Sequence, residues 1–267
     1  MLQQTQVDRV VPKFEEFIER FPTIASLAQA SVADVLRLWQ GLGYNSRAVR
    51  LLDVAVAVRD RFGGVVPHDL DSLRTLPGIG PYTAAAIAAF AYDMRVAPID
   101  TNIRRIVHRL FFGLEYPVKA THTQLDEKAR SLVPAGKAHD WNSALMDLGS
   151  TICTARNPKC LLCPLQKNCV AAPIDPAALD SARRRHAKKR SPQNAIPFER
   201  TTRFARGRII DRLRALRAGE RISLLDLHGE LTTVLRERTL EELDALVAIL
   251  EREGLVARDG ALIALRD

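Results

Sequence analysis

Leu73-Arg-Thr-Leu-Pro-Gly-Ile-Gly-Pro-Tyr-Thr-Ala-Ala-Ala86 is the stretch on which the fold turns. Leu76-Pro77-Gly78-Ile79-Gly80 lies between two helical patterns, predicted over 69–75 and 81–92. The glycines permit backbone conformations and close approaches that other residues resist. Pro81 suits the first turn of the second helix. Amides exposed at a helix N-terminus can hold a phosphate. A bare Gly-x-Gly also suits a tight helix connection with no ligand, so the flanking pattern matters.

That pattern, hydrophobic-Pro-Gly-hydrophobic-Gly, is the one seen in helix-hairpin-helix DNA-binding elements. Twenty residues beyond Gly80 comes Ile99-Asp100-Thr-Asn-Ile-Arg-Arg105, with Asp100 where a helix begins. An N-cap carboxylate is the commonest use of Asp at such a position. Working outward, apolar residues at helical spacing predict further helices. They include Val7 to Phe21, kinked at Pro12, then 31–39 with Ser31 as N-cap, and Leu51 to Phe62 closed by Gly63-Gly64. Others fall over 101–112, 122–133 and 139–152. With no alternating strand pattern, the region through residue 170 reads as all-α.

Four cysteines occur, spaced Cys153-x6-Cys160-x2-Cys163-x5-Cys169. A disulfide framework would spread thiols along the chain, whereas four in one short segment indicate a metal site. Four thiolates suit tetrahedral Zn²⁺ or a [4Fe–4S] cluster, and the spacing leaves both open.

The chain has 267 residues, 47% hydrophobic and 26% charged, which excludes a mostly disordered chain, a collagen and a coiled-coil rod. No apolar run approaches a membrane span and the N-terminus lacks signal-peptide features, so a soluble cytoplasmic, nucleoid-associated protein with no membrane partner is expected. The net charge of +8 is uneven: residues 173–219 alone carry thirteen basic and four acidic side chains. This stretch includes Arg183, Arg184 and Arg185 between prolines at 173, 176, 192 and 197. It reads as a solvated linker or as a salt-sensitive contact for a polyanion. Beyond it, Phe198 to Arg217, Leu224 to Leu231 and Leu240 to Glu253 read as helices. Leu255 to Leu265 then reads as a hairpin turning at Asp259-Gly260, the element order of a winged helix. The expected organisation is a helical domain over 1–172, a basic linker over 173–197 and a small winged-helix-like domain over 198–267.

Together these motifs resemble the helix-hairpin-helix DNA glycosylases with an iron–sulfur cluster, and within them adenine DNA glycosylases of MutY type. The matching segments are Met1-Leu-Gln-Gln-Thr-Gln-Val7, Leu38-Trp-Gln-Gly-Leu-Gly-Tyr44, Leu76 to Gly80, Asp100-Thr-Asn102, Ala144-Leu-Met-Asp-Leu-Gly149 and the cysteines. The resemblance implies base flipping from duplex DNA and hydrolysis of the N-glycosidic bond of adenine mispaired with 8-oxoguanine or guanine. The DNA partner would be a duplex with a mismatched or damaged pair, bound by a monomer. Asp100 falls on the family's catalytic aspartate, which stabilises a cationic sugar. Gln3, Gln4 and Thr5 match residues that wedge into the duplex and contact the opposite base, and Leu42 and Tyr44 match a second wedge. Leu76, Gly78, Gly80 and Asn102 fall on DNA-binding positions, and Asp147 on an acidic position near the adenine pocket. The cysteines would hold a [4Fe–4S] cluster, with Zn²⁺ as the alternative. Related lyases carry a Lys where Tyr82 stands; a phenol cannot form their Schiff base, which implies a monofunctional enzyme.

Three departures stand out. The family's general-acid Glu falls two residues before Met1, implying either a start assigned too far downstream or impaired catalysis in a protein that binds lesions. The tail is too short for the nucleotide-hydrolase-like domain of many members, and the usual aromatic after Tyr44 is Asn45. A thymine or uracil mismatch glycosylase on the same scaffold is the alternative reading.

Overall fold

The computed structural model describes residues 1–2, 5–116, 118–186, 197–235 and 238–267. Gln3 and Gln4 therefore lie outside the described residues. The first helices are α1 (Val7–Arg20), α2 (Ile24–Ala28), α3 (Val32–Leu38) and α4 (Ser46–Phe62). Helix α1 runs through Pro12 without a break. Ser31 caps α3 as expected, accepting the Asp34 amide at 3.0 Å. A Thr23–Ser26 capping box starts α2, a short helix the sequence pattern did not predict. Gly63, at φ +60°, closes α4 in the left-handed conformation that glycine tolerates.

The middle of the chain forms α5 (Leu70–Arg74), α6 (Pro81–Tyr92), α7 (Thr101–Phe111), α8 (His122–Ser131), α9 (Ala138–Thr151) and α10 (Pro176–His186). Ile103, Ile106, Val107, Leu125, Ala129 and Leu145 form the core that holds α7, α8 and α9 together. Helix α10 corrects the linker expectation for residues 176–186. Asp175 accepts the Ala177 amide at 3.0 Å, Pro176 opens the helix, and Leu179 and Ala182 are buried. Residues 187–196, with the rest of the basic run, lie outside the described residues.

The tail forms α11 (Thr202–Arg214), β1 (Ile222–Ser223), α12 (Leu224–Leu231), α13 (Leu240–Arg252), β2 (Val256–Asp259) and β3 (Leu262–Leu265). Residues Phe198–Arg200 form a separate 3-10 turn rather than the first turn of a longer helix. Thr201 then caps α11 through the Phe204 amide at 3.2 Å. The predicted hairpin is present, with Val256 opposite Leu265, and turns at Gly260. Strand β1 adds to its other edge, giving the order β1-β3-β2.

The chain divides into two compact units, one of residues 67–186 and one that joins Met1–Val66 to the tail. The chain therefore also divides near residue 66, within the helical domain expected over 1–172. The reason is a shared core: Val32, Val35, Leu36 and Leu52 cluster with Ile209, Ile210, Leu213, Leu243, Val247 and Leu250. The Ala33 amide donates to the Arg266 carbonyl at 2.8 Å, so backbone pairing also ties the first helices to the last residues. Burying these apolar side chains favours packing by ~1.5–3 kcal/mol each. No described helix is long and apolar enough to cross a membrane.

Candidate active site

In the middle unit, Asp100 is the N-cap of α7, and one carboxylate oxygen accepts the Ile103 amide at 2.7 Å. Its other oxygen accepts the Asn102 side-chain amide at 3.1 Å. The capping and catalytic readings of Asp100 are thus compatible, because the cap aims the carboxylate. Asn102 is itself oriented. Its oxygen accepts Arg105 at 2.9 Å, which turns its NH2 group toward Asp100. Arg105 also donates to the Gly149 carbonyl at 2.7 Å and the Cys153 carbonyl at 2.8 Å. A continuous hydrogen-bonded path therefore joins the start of the cysteine loop to the Asp100 carboxylate. The spacing of Asn102 and Arg105 on one helical face was the signal that could have found Arg105 from sequence. Asn102, expected at a DNA-binding position, spends both ends of its side chain on this path.

Tyr82 lies at the start of α6 and is 41% exposed. Burial, and then the Asp100 charge, push its phenol above the ordinary tyrosine range, so it is neutral at neutral pH. Asp147 is exposed on α9, which packs against α7. No hydrogen bond joins its carboxylate to Asp100 among the described residues.

Gly149 sets how closely α9 approaches α7. A Cβ there would lie 2.6 Å from Asn102 Cβ and 3.3 Å from Ile106 Cδ1. Gly149→Ala should therefore push the helices apart at a cost of about 1–3 kcal/mol. Because Asn102 takes the displacement, base release should slow more than DNA affinity falls. Thermal unfolding and single-turnover rates of the variant check this; an unchanged rate and stability would refute it.

The hairpin between α5 and α6 has Gly78 at φ +72° and both Gly78 and Gly80 exposed, with no side chain capping α6 at Gly80. Leu76 is buried at 3% exposure, so it anchors the hairpin rather than facing a ligand.

The four cysteines are unpaired as disulfides and ring one apolar cavity with Arg109, Ile152, Pro158 and Ile174. Arg109 braces the loop. It makes a two-pronged ion pair with Glu115 at 2.7 and 2.8 Å and donates to the Thr154 carbonyl at 2.7 Å. It also approaches Cys153 Sγ at 3.6 Å, while the Ile174 amide approaches Cys160 Sγ at 3.5 Å. Such donors favour thiolate, the form that binds iron. Burial raises the Cys169 thiol, and the neighbouring Cys153 and Cys160 oppose its ionisation too. A bound cation would relieve that repulsion, so the residues fit the group expected from sequence. Arg109 and Glu115 were not singled out from sequence.

In the other unit, Gly41, Gly43 and Tyr44 all have positive φ, at +87°, +68° and +48°. This backbone path turns Leu42 inward and Tyr44 outward. Leu42 is 4% exposed and belongs to the core, which corrects its expected place as a wedge. Tyr44 is 41% exposed. Arg47 holds the loop by donating to the Leu42 carbonyl at 3.1 Å and to Thr5 Oγ1 at 3.1 Å. Thr5 in turn donates to the Leu42 carbonyl at 3.2 Å. In α10, Arg183 and Arg184 pair with Asp180 at 3.2 and 2.7 Å, and Arg185 donates to Ser181 Oγ at 2.6 Å. That arrangement neutralises part of the basic run.

Residues 1–135 match the family of HhH-GPD superfamily base excision DNA repair proteins. The chain belongs to this superfamily. Residues 153–169 match the iron–sulfur binding domain of endonuclease III, so the cysteine loop is an iron–sulfur site. The adenine DNA glycosylase of Mycolicibacterium smegmatis is 49% identical over 165 residues, covering 62% of this chain and 56% of that protein. The adenine DNA glycosylase of Mycobacterium tuberculosis is 39% identical over 254 residues, covering 92% of this chain and 79% of that protein. Among solved structures, a thermostable thymine-DNA glycosylase superposes with TM-score 0.59 at 32% identity, covering 63% of this chain and 78% of that one. An endonuclease III–DNA complex shares the fold, with TM-score 0.54 at 22% identity over 62% of this chain and 77% of that one.

Proposed function

We propose that this superfamily member is a monofunctional adenine DNA glycosylase of base excision repair. It acts as a monomer on adenine opposite 8-oxoguanine or guanine. The observation that carries this reading is the aimed carboxylate of Asp100, held by Ile103 and Asn102 beside the neutral phenol of Tyr82. The target base leaves the stack, because its glycosidic bond is inaccessible within it. As the bond between the sugar C1′ and adenine breaks, its electron pair departs with the base. The Asp100 carboxylate stabilises the cationic sugar left behind. Water then adds to C1′ and gives up a proton, which balances the one that the departing adenine takes up, giving an abasic site and free adenine. Tyr82 offers no amine for a Schiff base, so the strand stays intact.

The exposed Gly78–Gly80 hairpin and uncapped start of α6 suit a DNA phosphate, and the Tyr44 loop suits contact with a displaced base. The cysteine loop suits a [4Fe–4S] cluster, in keeping with its likeness to the iron–sulfur binding domain of endonuclease III. A cluster bound by Cys153, Cys160, Cys163 and Cys169 would supply folding free energy to this loop. The likeness to a thymine-DNA glycosylase keeps thymine opposite guanine as the competing substrate.

The test is a single-turnover assay on duplexes with one adenine opposite 8-oxoguanine, adenine opposite guanine, or thymine opposite guanine. Alkali reveals abasic sites. Adenine release without strand cleavage before alkali is expected. Faster thymine release would transfer the assignment to the competing substrate, and release of neither base would overturn it.

A further inference from the structure

Tyr44 holds an aromatic ring in solvent on a left-handed backbone that side chains rarely adopt. Such positions persist only where the surroundings over-determine them. Here much of that bracing comes from the far end of the chain. Arg214 of α11 is buried, donates to the Leu36 carbonyl at 2.8 Å and to Asn45 Oδ1 at 2.6 Å, and pairs with Asp211 at 2.8 Å. The Asn45 that replaces an aromatic is thus the acceptor that ties the Tyr44 loop to the tail. About three turns nearer the N-terminus of α11, the Arg203 guanidinium lies 4.2 Å from the Tyr44 ring centroid. Arg47 approaches the same ring at 5.5 Å.

The two arginines differ. Arg47 spends its donors on the Met1, Leu42 and Gly43 carbonyls and on Thr5. Arg203 is exposed, and no hydrogen bond or carboxylate engages its guanidinium among the described residues. A planar cation stacked on an exposed aromatic, with its charge unneutralised, matches how proteins receive unstacked bases beside phosphates.

We propose that the tail supplies a nucleic-acid-reading element: Arg203 and Tyr44 together form a cationic aromatic platform that receives an unstacked base of duplex DNA. This inference rests on the DNA reading above, and extends it to a residue of the C-terminal tail. Arg214 is the positioning residue that keeps the platform's loop in place through Asn45.

Fluorescence anisotropy with the full chain tests it, using a labelled duplex with one extrahelical base and the same duplex fully paired. Arg203→Ala is expected to lose fivefold or more in affinity for the unpaired base and less than about threefold for the paired duplex. Arg203→Lys should restore affinity for the paired duplex but not the preference, because an ammonium does not stack as a guanidinium does. In a Tyr44→Ala background, Arg203→Ala should add nothing. Equal losses on both duplexes, restored by Arg203→Lys, would make Arg203 a plain phosphate contact and overturn the platform, as would no loss at all. Thermal unfolding of each variant guards against a merely structural effect, and Arg203→Gln replaces Arg203→Ala if the latter melts early. Adenine release by the parent chain is read separately. Its absence, with the preference intact, would remove the catalytic reading and leave the platform. Its presence, with a preference insensitive to Arg203, would do the reverse.

Discussion

Asp100→Asn abolishes base release while leaving DNA binding and the fold nearly intact: this is the expected result, and its sizes follow from the geometry. The carboxylate supplies a preorganised negative charge, and loss of such a stabiliser costs about 10²–10³-fold or more in rate. The same oxygen caps α7 through Ile103 at 2.7 Å. Asn caps a helix about as well as Asp, so its amide oxygen keeps that bond. What the fold loses is the charge at the helix N-terminus, worth about 0.3–1 kcal/mol, and the bond from Asn102, whose NH2 then meets another donor. Asp100→Ala removes the cap as well, at a further ~0.5–2 kcal/mol. Comparing the two variants separates chemistry from folding: equal rate losses with unequal melting temperatures are expected. Release by Asp100→Asn at the parent rate would remove the carboxylate from the mechanism.

Arg109→Ala carries the largest expected effect on stability. The guanidinium is 1% exposed, and it satisfies Glu115 together with the Thr154 and Ala155 carbonyls. Truncating one partner of a buried pair costs about 3–5 kcal/mol, because the group left behind stays desolvated and alone. Against a typical total of ~5–15 kcal/mol, that is a large share. The same change removes the donor nearest Cys153 Sγ, so iron bound per chain should fall together with the denaturation midpoint. Glu115→Ala should do comparable harm by orphaning Arg109. Replacing both residues with leucine should recover only part of the loss, since the loop carbonyls would still lack a donor. Guanidinium denaturation followed by visible absorbance, with iron analysis, checks this. Stability within ~1 kcal/mol of the parent and unchanged iron would sink the role given to Arg109.

Several of these features were legible in the chain before any tertiary contact was known. Ser31 announced the start of α3, Pro81 the start of α6 and Asp100 the start of α7, because capping is settled within three or four residues. The four cysteines were legible for a similar reason: their spacing is a property of one short loop. The hairpin at Gly260 could be read from alternation and a turn residue. Helix α10 was harder, since its run of arginines hides an apolar pair, Leu179 and Ala182, too small to stand out.

Other assignments depended on distance along the chain. Leu42 and Tyr44 look interchangeable as exposed apolar residues, and only the positive φ values on either side of Leu42 send one inward and the other outward. Nothing local places Arg214 against Asn45, 169 residues away, or Arg203 against Tyr44. The division into units at residue 66 follows from which apolar faces meet, and many partners are compatible with the same periodicity.

Most of the helices, several of their caps, the glycine hairpin, the cysteine loop and the candidate carboxylate could be read from the chain alone. Each rests on short-range geometry that a few neighbouring residues decide. It took the folded chain to show that Asn102 and Arg105 aim that carboxylate, that Gly149 lets α7 and α9 approach, and that the tail braces the Tyr44 loop. Those depend on close packing and on hydrogen bonds between distant segments, and their partners are chosen when the core closes.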